Sequence, residues 1–236
     1  MTGERRTIPE LMDDPTVPGG SLDRALHELA IVNRWLGGER VSRLGVERIV
    51  HSLRPGTPIT ILDVGAGGFD LSRALAPLGR QFEVTALDIN PRAGEYARNH
   101  GHAGQQVVGS AHALPFGERS FDIVHASLFL HHCTDEEARM LLAHLSRIAR
   151  WGVVINDLHR HPLAYASIFV LTRLLSRSPL VRHDAPVSVL RGFVRSEFAA
   201  LLPSGLQQAA IVSWHWAFRW CVSLSLIDPL DDASQV

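Results

Sequence analysis

The sequence lacks several features that would place the protein in other classes. Lysine is absent, so all 23 basic residues are arginine, and the formal net charge is only −1. Such a balanced chain predicts no basic surface, and we expect no nucleic-acid partner. Two cysteines are too few for a disulfide framework, which favours a reducing, cytoplasmic setting. No apolar run reaches the roughly 18 residues of a membrane-spanning helix, and residues 1–18 lack the apolar centre of a signal peptide.

The length of 236 residues, 46% of them hydrophobic, is enough for one large domain. We expect an N-terminal arm and helical cap over 1–56 and a cofactor-binding core over 57–158. A helical lid insertion and the last core helix follow over 159–205, and C-terminal strands of the same domain over 206–236. The first 20 residues, polar and proline-bearing, predict a loose arm.

Short apolar runs alternate with helical patterns along the chain. Buried strands are predicted at 60–64, 82–87, 106–108, 121–126 and 152–155. Helices are predicted from Ser21 to the break at Gly37-Gly38, through 41–50, and over 71–78, 163–175 and 193–202. Asn90-Pro91 predicts the start of another helix, and a capping box at 134–137 opens one that runs through Ile148. This alternation predicts an α/β fold with a doubly wound, mostly parallel sheet. Two further strands within 206–213 and 216–227 are joined too closely for a crossover helix, so the seven-stranded sheet should end in an antiparallel strand.

The most informative motif is a glycine-rich turn that follows the first strand. Residues 61–70 read Ile-Leu-Asp-Val-Gly-Ala-Gly-Gly-Phe-Asp, and the next strand ends at Asp88. Gly65 and Gly67 allow the backbone to approach a ligand closely. An acid at the end of the second strand is placed to accept the hydroxyls of a ribose. The spacing therefore predicts a nucleoside-binding unit.

Three further motifs follow in order, and together the four resemble the class I S-adenosylmethionine-dependent methyltransferases, specifically small-molecule enzymes of the type 11-like group. They are Gly-Ser-Ala-His-Ala-Leu-Pro-Phe at 109–116, Ser-Phe-Asp-Ile-Val at 120–124 and Leu-His-His at 130–132. The paired terminal strands also fit this family. Two departures stand out: Phe69 follows Gly68 where the family has its third glycine, and Ser110 stands where it has an acid.

The resemblance implies S-adenosylmethionine as the cofactor and a set of residues around it. This set comprises Asp63, Gly65, Ala66, Gly67, Asp88, Ile89, Ser110, Ala111 and Leu114. Asp88 would bind both ribose hydroxyls, and Ser110 would accept a hydrogen bond from the adenine. Ile89 and Leu114 would sandwich the adenine or simply belong to the core. Asp63 would order the loop or the methionine ammonium, or only cap the loop.

Histidines are the candidate bases, because imidazole titrates near neutral pH. His131 and His132 follow the fourth strand, at the edge where open α/β sheets bind ligands. His159 and His161 follow the fifth strand, and Asp157 could orient one of them. Each of the four could instead be a packing residue. No metal is expected, because the His-x-His pair lacks a third ligand at a suitable spacing.

Acceptor-contacting candidates come from the predicted lid and from residues 32–38, which resemble the lead-in that folds over the cofactor in small-molecule methyltransferases. They are Arg34, Trp35, Arg160, Tyr165 and Phe169. The helix over 163–175 is apolar nearly all round and should cover the acceptor, although a dimer interface would look the same. His183, Asp184 and Arg191 are interpreted as a solvated ion-pair group.

These features favour methylation of a hydrophobic small molecule, with O-methylation of a phenolic or polyketide-like acceptor as the leading hypothesis. One alternative is C-methylation of a prenyl-quinone-type lipid at a membrane surface, with residues 163–175 as a peripheral contact. Another is a module that binds the cofactor without catalysis. A nicotinamide dehydrogenase is disfavoured because position 70, where its third glycine would stand, is Asp70. A monomer and a homodimer are equally compatible with the sequence.

Overall fold

The computed structural model describes residues 5–226, apart from 15, 52, 54, 55, 57, 69 and 103. Its seven strands are β1 (Ile59–Val64), β2 (Phe82–Asp88), β3 (Gln105–Val108), β4 (Phe121–Ser127), β5 (Ala149–Leu158), β6 (Ala210–His215) and β7 (Arg219–Ser225). They form one sheet in the order β3-β2-β1-β4-β5-β7-β6. Strand β7 is antiparallel to both of its neighbours, and the other pairs are parallel. This confirms the predicted fold class.

Eight α-helices surround this sheet in the described part of the chain. They are α1 (Gly19–Trp35), α2 (Gly38–Val50), α3 (Leu71–Leu75), α4 (Pro91–Asn99), α5 (Asp135–Ile148), α6 (Pro162–Leu175), α7 (Pro179–Arg191) and α8 (Arg195–Leu201). None of the described helices is long and apolar enough to cross a bilayer. Phe69 and the predicted end of the last strand at Ile227 lie outside the described residues.

Local sequence signals explain where the core helices begin. Thr134 and Glu137 form a reciprocal capping box at the start of α5, as the sequence predicts. Asn90 caps α4, and Pro91 occupies its first turn. The apolar stripe of α5 is then buried against one face of the sheet.

The other face of the sheet is covered by α2, which approaches it closely. Gly45 makes this approach feasible, because a Cβ at that position would collide with the side chain of Val154 on β5. Val46 and Ile49 of α2 are buried in the same apolar cluster as Ile123 of β4. Helix α2, which also packs against α1, therefore helps to hold α1 over the carboxyl edge of the sheet, where the predicted site lies.

Helix α7 was not predicted from the sequence, and it changes the interpretation of its polar residues. Asp184 is buried and accepts hydrogen bonds from the backbone N–H groups of Leu11 and Met12, at 2.8 and 2.9 Å. Arg191 is also buried and donates to the carbonyls of His131 and His132, at 3.0 and 2.8 Å. The prediction of a solvated ion-pair group is therefore wrong for Asp184 and Arg191.

The described part of the N-terminal arm is also not loose. Arg5 donates to the carbonyl of Cys133 at 2.6 Å and pairs with Asp135 at 2.8 Å. Glu10 is only 8% exposed and accepts a hydrogen bond from Ser188 on α7 at 2.8 Å. The prediction failed because polar residues usually indicate exposure, whereas these are satisfied by partners far away in the chain.

Candidate active site

A first cavity of about 390 Å³ lies at the carboxyl edge of β1, β2 and β4. This volume is within the range of small-molecule sites. The sheet edge contributes Gly65, Ala66, Gly67, Gly68, Asp88, Ile89, Ser110 and Ala111 to its wall. The arm and α1 close the opposite side with Glu10, Met12, Asp13, Leu22, Leu26 and Leu29.

The glycine-rich loop forms the floor of this cavity. Gly65 and Gly67 have φ angles of 66° and 53°, which favour glycine. A Cβ at Gly65 would also collide with the ring of Phe129. The N–H groups of Gly65 and Ala66 donate to the carbonyl of Leu87, at 2.8 and 3.1 Å, so the loop folds back onto β2. The backbone of the loop can therefore lie directly against a ligand.

Asp88 stands beside this loop with both oxygens partly engaged. Its Oδ2 accepts from the N–H of Gly67 and its Oδ1 from that of Asn90, each at 2.8 Å. Burial raises the pKa of Asp88, although these two hydrogen bonds act in the opposite direction. Each carboxylate oxygen has a second lone pair, so both can still accept a hydroxyl hydrogen bond. The arrangement suits a ribose diol.

Two of the predicted cofactor residues do not line the cavity. Asp63 is buried behind the loop, where its Oδ1 lies 2.6 Å from Nδ1 of His125 and its Oδ2 has no hydrogen-bond partner. The Nε2 of His125 lies 2.8 Å from Oγ of Ser42, so the three form a fully buried hydrogen-bonded chain without access to a ligand. Leu114 is packed into the core instead of against the cavity.

A second cavity, also of about 390 Å³, lies next to the first. Its wall is mainly apolar and comes from α1, α6, α7 and the turn between β6 and β7: Val32, Leu36, Leu158, Ala164, Ile168, Leu171, Ala185, Val189 and Phe218. The two cavities share Glu10, Leu29, Asn33, Leu128 and His132 in their walls. They therefore meet at one boundary, formed by the arm, α1 and the segment after β4.

His131 is buried beside this boundary between two carboxylates. Its Nδ1 lies 2.7 Å from Oδ1 of Asp157, and its Nε2 lies 3.5 Å from Oε1 of Glu10. Burial by itself would lower the pKa of His131, but Asp157 and Glu10 together raise it to about 9. His131 is therefore an imidazolium at neutral pH. Asp157 orients His131, and the prediction that it orients His159 or His161 is wrong.

Glu10 was not predicted as a site residue, because it lies in a polar N-terminal segment without a recognisable motif. Burial acts to raise the pKa of this carboxyl, but His131 and His132 lower it to about 2. Glu10 is thus an anion held at the boundary of both cavities. Atoms of Glu10, His131 and His132 lie within 4.8 Å of one another, close enough to surround a cation. The proton on His131 already supplies positive charge to this cluster.

His132 lines both cavities, unlike the other three predicted bases. Its Nδ1 lies 3.2 Å from Oδ2 of Asp13, and its Nε2 lies 3.8 Å from Oε2 of Glu10. The ring is only partly buried, with 27% of its side chain exposed. An imidazole in this position can exchange a proton with a ligand that crosses the boundary.

The histidines after β5 lie outside both cavities. The Nδ1 of His159 accepts from Nε1 of Trp214 at 3.1 Å. His161 caps α6 by accepting from the N–H of Leu163 at 3.2 Å. Arg160 is buried and donates to Glu197 at 2.6 Å, so it faces α8 and not the second cavity. The structure therefore does not place these three side chains against either cavity, and the alternative of packing residues fits His159 and His161 better, because each of the three has a partner within the protein.

The remaining acceptor-contacting candidates also lie outside the cavities. Arg34 is exposed, and Trp35 is 84% exposed at the end of α1. Tyr165 and Phe169 stack on each other on α6 and are not among the residues that line the second cavity. A helix is present over the predicted range and borders the second cavity, but with other side chains than these two. Asn33 and Arg219, which do line the second cavity, were not among the predicted site residues.

Comparisons with known proteins agree with this geometry. A family model described as a methyltransferase domain matches residues 61–152. The chain is 34% identical to an uncharacterized methyltransferase of Synechocystis, over 52% of this chain and 57% of that protein. It is 31% identical to demethylmenaquinone methyltransferase of Thermotoga maritima, over 43% and 44% of the two chains. It is 32% identical to ubiquinone biosynthesis O-methyltransferase of Xanthomonas oryzae, over 63% and 67%.

The fold is shared with solved methyltransferase structures. Human N-acetylserotonin methyltransferase in complex with S-adenosylmethionine superposes with a TM-score of 0.63 at 18% identity, over 88% of this chain and 56% of that one. Fold and site together define an α/β transferase with a nucleoside-type cofactor cavity. The chain belongs to the S-adenosylmethionine-dependent methyltransferases. It spans only about half of the length of the first two relatives named above.

Proposed function

We propose that the protein methylates a hydroxyl oxygen of a hydrophobic small molecule of phenolic or polyketide-like character. The observation that carries this proposal is the shared wall of the two cavities. One cavity has the glycine loop and the ribose-binding acid, the other is apolar, and His132 borders both. A donor and an acceptor bound side by side would bring their reacting ends together at this boundary.

The residues of the first cavity fit the cofactor. Gly65, Ala66 and Gly67 would lie against its methionine part, and Asp88 would bind its ribose hydroxyls. Ile89, Ser110 and Ala111 would border the adenine. The cofactor supplies a methyl group that its sulfonium has already activated. The task left to the protein is to align the acceptor oxygen and to remove its proton.

His132 is the group proposed to take that proton. His131 cannot do so at neutral pH, because the carboxylates of Asp157 and Glu10 keep it protonated. Once His132 has accepted the proton, the nearby carboxylates of Glu10 and Asp13 stabilise the resulting imidazolium. The electrostatic role resembles that of the acid in a catalytic triad. His131 acts as a positioning residue that fixes Glu10 beside His132.

The experiment is a transfer assay on the purified protein with methyl-labelled S-adenosylmethionine and a panel of apolar phenols. The matched controls are the methyl ethers of the same phenols, which have no free hydroxyl. We expect S-adenosylhomocysteine together with labelled ethers, identified by mass spectrometry. Transfer only to carbon or nitrogen acceptors would contradict the O-methylation proposal.

We further propose a cytoplasmic setting, supported by two buried, free cysteines, Cys133 and Cys221.

A second candidate is C-methylation of a prenyl-quinone-type lipid at a membrane surface. It is favoured by large apolar side chains exposed on α6: Leu163, Val170, Leu174 and Leu175. This helix also borders the second cavity, so a membrane contact there would bring a lipid to the acceptor site. The relative named demethylmenaquinone methyltransferase is compatible with it.

Vesicle flotation separates the two candidates. The protein would be mixed with phosphatidylcholine–phosphatidylglycerol vesicles and compared with a Leu174→Gln, Leu175→Gln variant. Flotation of the wild type alone would support the lipid candidate. A wild-type protein that stays in the soluble fraction would count against it, and gel filtration of the same samples would show whether this face instead joins two copies.

A further inference from the structure

Arg219 is an unusual residue in the wall of the second cavity. It is the first residue of β7 and is only 2% exposed. Its Nη2 donates to Oδ1 of Asn33 at 2.8 Å, and its Nη1 donates to Oδ1 of Asn156 at 3.3 Å. Its Nε has no hydrogen-bond partner. The guanidinium carries five N–H donors, so these two neutral amide oxygens leave most of its capacity unused.

The other buried arginines of the described chain are better compensated. Arg160 pairs with Glu197 at 2.6 Å. Arg191 donates to three backbone carbonyls and has Asp13 at 3.9 Å. No described carboxylate lies within ion-pair distance of Arg219. Asp157 attracts it only from farther away, and that carboxylate is already bound to His131.

Arg219 nevertheless keeps its positive charge. Burial lowers the pKa of Arg219 to about 10, and Asp157 partly offsets this effect. The side chain is therefore cationic at neutral pH. Burying a cation is costly unless an anion or a full set of acceptors compensates it. Since the protein offers only two amide oxygens, the adjoining cavity is the place from which the missing acceptor can come.

We propose that Arg219 binds an anionic oxygen of the acceptor, so that the substrate class is an amphipathic acid. Its apolar body would fill the second cavity against Leu36, Ile168 and Leu171, and its acidic group, a carboxylate or an ionised acidic hydroxyl, would meet Arg219. Asn33 contacts Arg219 and lines both cavities, which directs the acidic group toward the methyl-transfer end. This inference rests on the proposed function, because it takes the second cavity to be the acceptor site.

The test is a calorimetric titration of the protein saturated with S-adenosylhomocysteine. The probes are 4-hexylbenzoate and 4-hexylbenzamide, which differ mainly in charge. We expect wild-type protein to bind the carboxylate roughly 10- to 100-fold more tightly, as for a hydrogen bond to a charged group. Arg219→Gln should lose this preference, and Arg219→Lys should retain part of it. The matched control is Arg34→Gln, which removes an exposed arginine outside both cavities and should leave the preference unchanged.

A second variant covers the case in which Arg219→Gln does not fold. Asn33→Asp places a carboxylate on Arg219 with almost no change in shape, so the preference should disappear while the melting temperature is retained. S-adenosylhomocysteine affinity is measured in parallel, because Asn33 borders the cofactor cavity as well.

Equal affinity of the wild type for the two probes, or no binding of the carboxylate, would overturn the inference. So would a preference that survives in a folded Arg219→Gln or Asn33→Asp protein. Because binding is measured without turnover, the outcome is separate from that of the proposed function. Methyl transfer to phenols with no carboxylate preference would leave the proposed function standing. A clear preference with no methyl transfer would contradict only the O-methylation proposal.

Discussion

The two cavities have similar volumes but are built from different parts of the chain. The first cavity, proposed for the cofactor and called the cofactor cavity below, is walled on one side by turns that follow consecutive strands, so its residues come from short motifs. The second cavity, proposed for the acceptor and called the acceptor cavity below, is walled by side chains of α1, α6, α7 and the last hairpin, brought together over long sequence distances. Arg219 and Asn33, for example, are 186 residues apart. Local geometry defines the first site, and tertiary packing defines the second.

The largest effect is expected where the cavities meet. His132→Ala should lower kcat by about 10²- to 10⁴-fold, because the variant has no group to accept the hydroxyl proton. Affinity for S-adenosylhomocysteine should change little. Steady-state kinetics with a phenol acceptor would be compared with those of His51→Ala, which removes an exposed histidine. A His132→Ala enzyme with nearly unchanged kcat would mean that the boundary does not supply the base.

The cofactor cavity alone is tested by Asp88→Ala. Two hydrogen bonds to a charged group are lost, each worth about 1.5–3 kcal/mol, so the Kd for S-adenosylhomocysteine should rise by at least about 100-fold. Isothermal titration calorimetry measures this change. Asp14→Asn changes an exposed acid that lines neither cavity and accepts hydrogen bonds from Thr16, and it serves as the control. Unchanged affinity in Asp88→Ala would place the ribose elsewhere.

The buried ion cluster beside the acceptor cavity predicts a pH-dependent stability. The pKa of His131 is raised to about 9 in the folded protein, so its stabilising contribution is complete below the unfolded value near 6.5. This contribution is lost as the pH rises through about 9. Glu10→Gln removes one of the two carboxylates responsible. The free energy of unfolding of the wild type should exceed that of the variant by on the order of 1–2 kcal/mol near pH 6.5. This difference should become smaller toward pH 9.5.

Urea unfolding at both pH values measures that gap. Glu118→Gln, which removes an exposed carboxylate paired with Arg147, should show no comparable narrowing between them. A constant difference between wild type and Glu10→Gln would mean that Glu10 does not hold the proton on His131.

Chelation should have the smallest effect. An imidazolium has no lone pair to offer a metal, and His131 is protonated at neutral pH. We therefore expect dialysis against EDTA to leave methyl transfer unchanged. Activity that falls on chelation and returns with a divalent cation would instead assign Glu10, His131 and His132 to a metal.

The difference between local motifs and long-range packing also explains which features could be predicted from the sequence. Strand runs, the capping box at Thr134 and the spacing from Gly65 to Asp88 are local signals, and the structure contains each of them. Helix α7 was missed because its polar residues are buried, which removes the amphipathic pattern. Glu10 was missed because its partners, His131 and Ser188, lie far along the chain. No local pattern reports such contacts.

The most direct test of the account is a crystal structure of the protein with S-adenosylhomocysteine and a phenolic acceptor bound together. The account predicts the cofactor product on the glycine loop with its ribose at Asp88, and the acceptor body in the apolar cavity. The reacting hydroxyl should lie within hydrogen-bond reach of His132, about 2.6–3.2 Å. An acceptor bound at His159 and His161, or with its hydroxyl remote from His132, would contradict it.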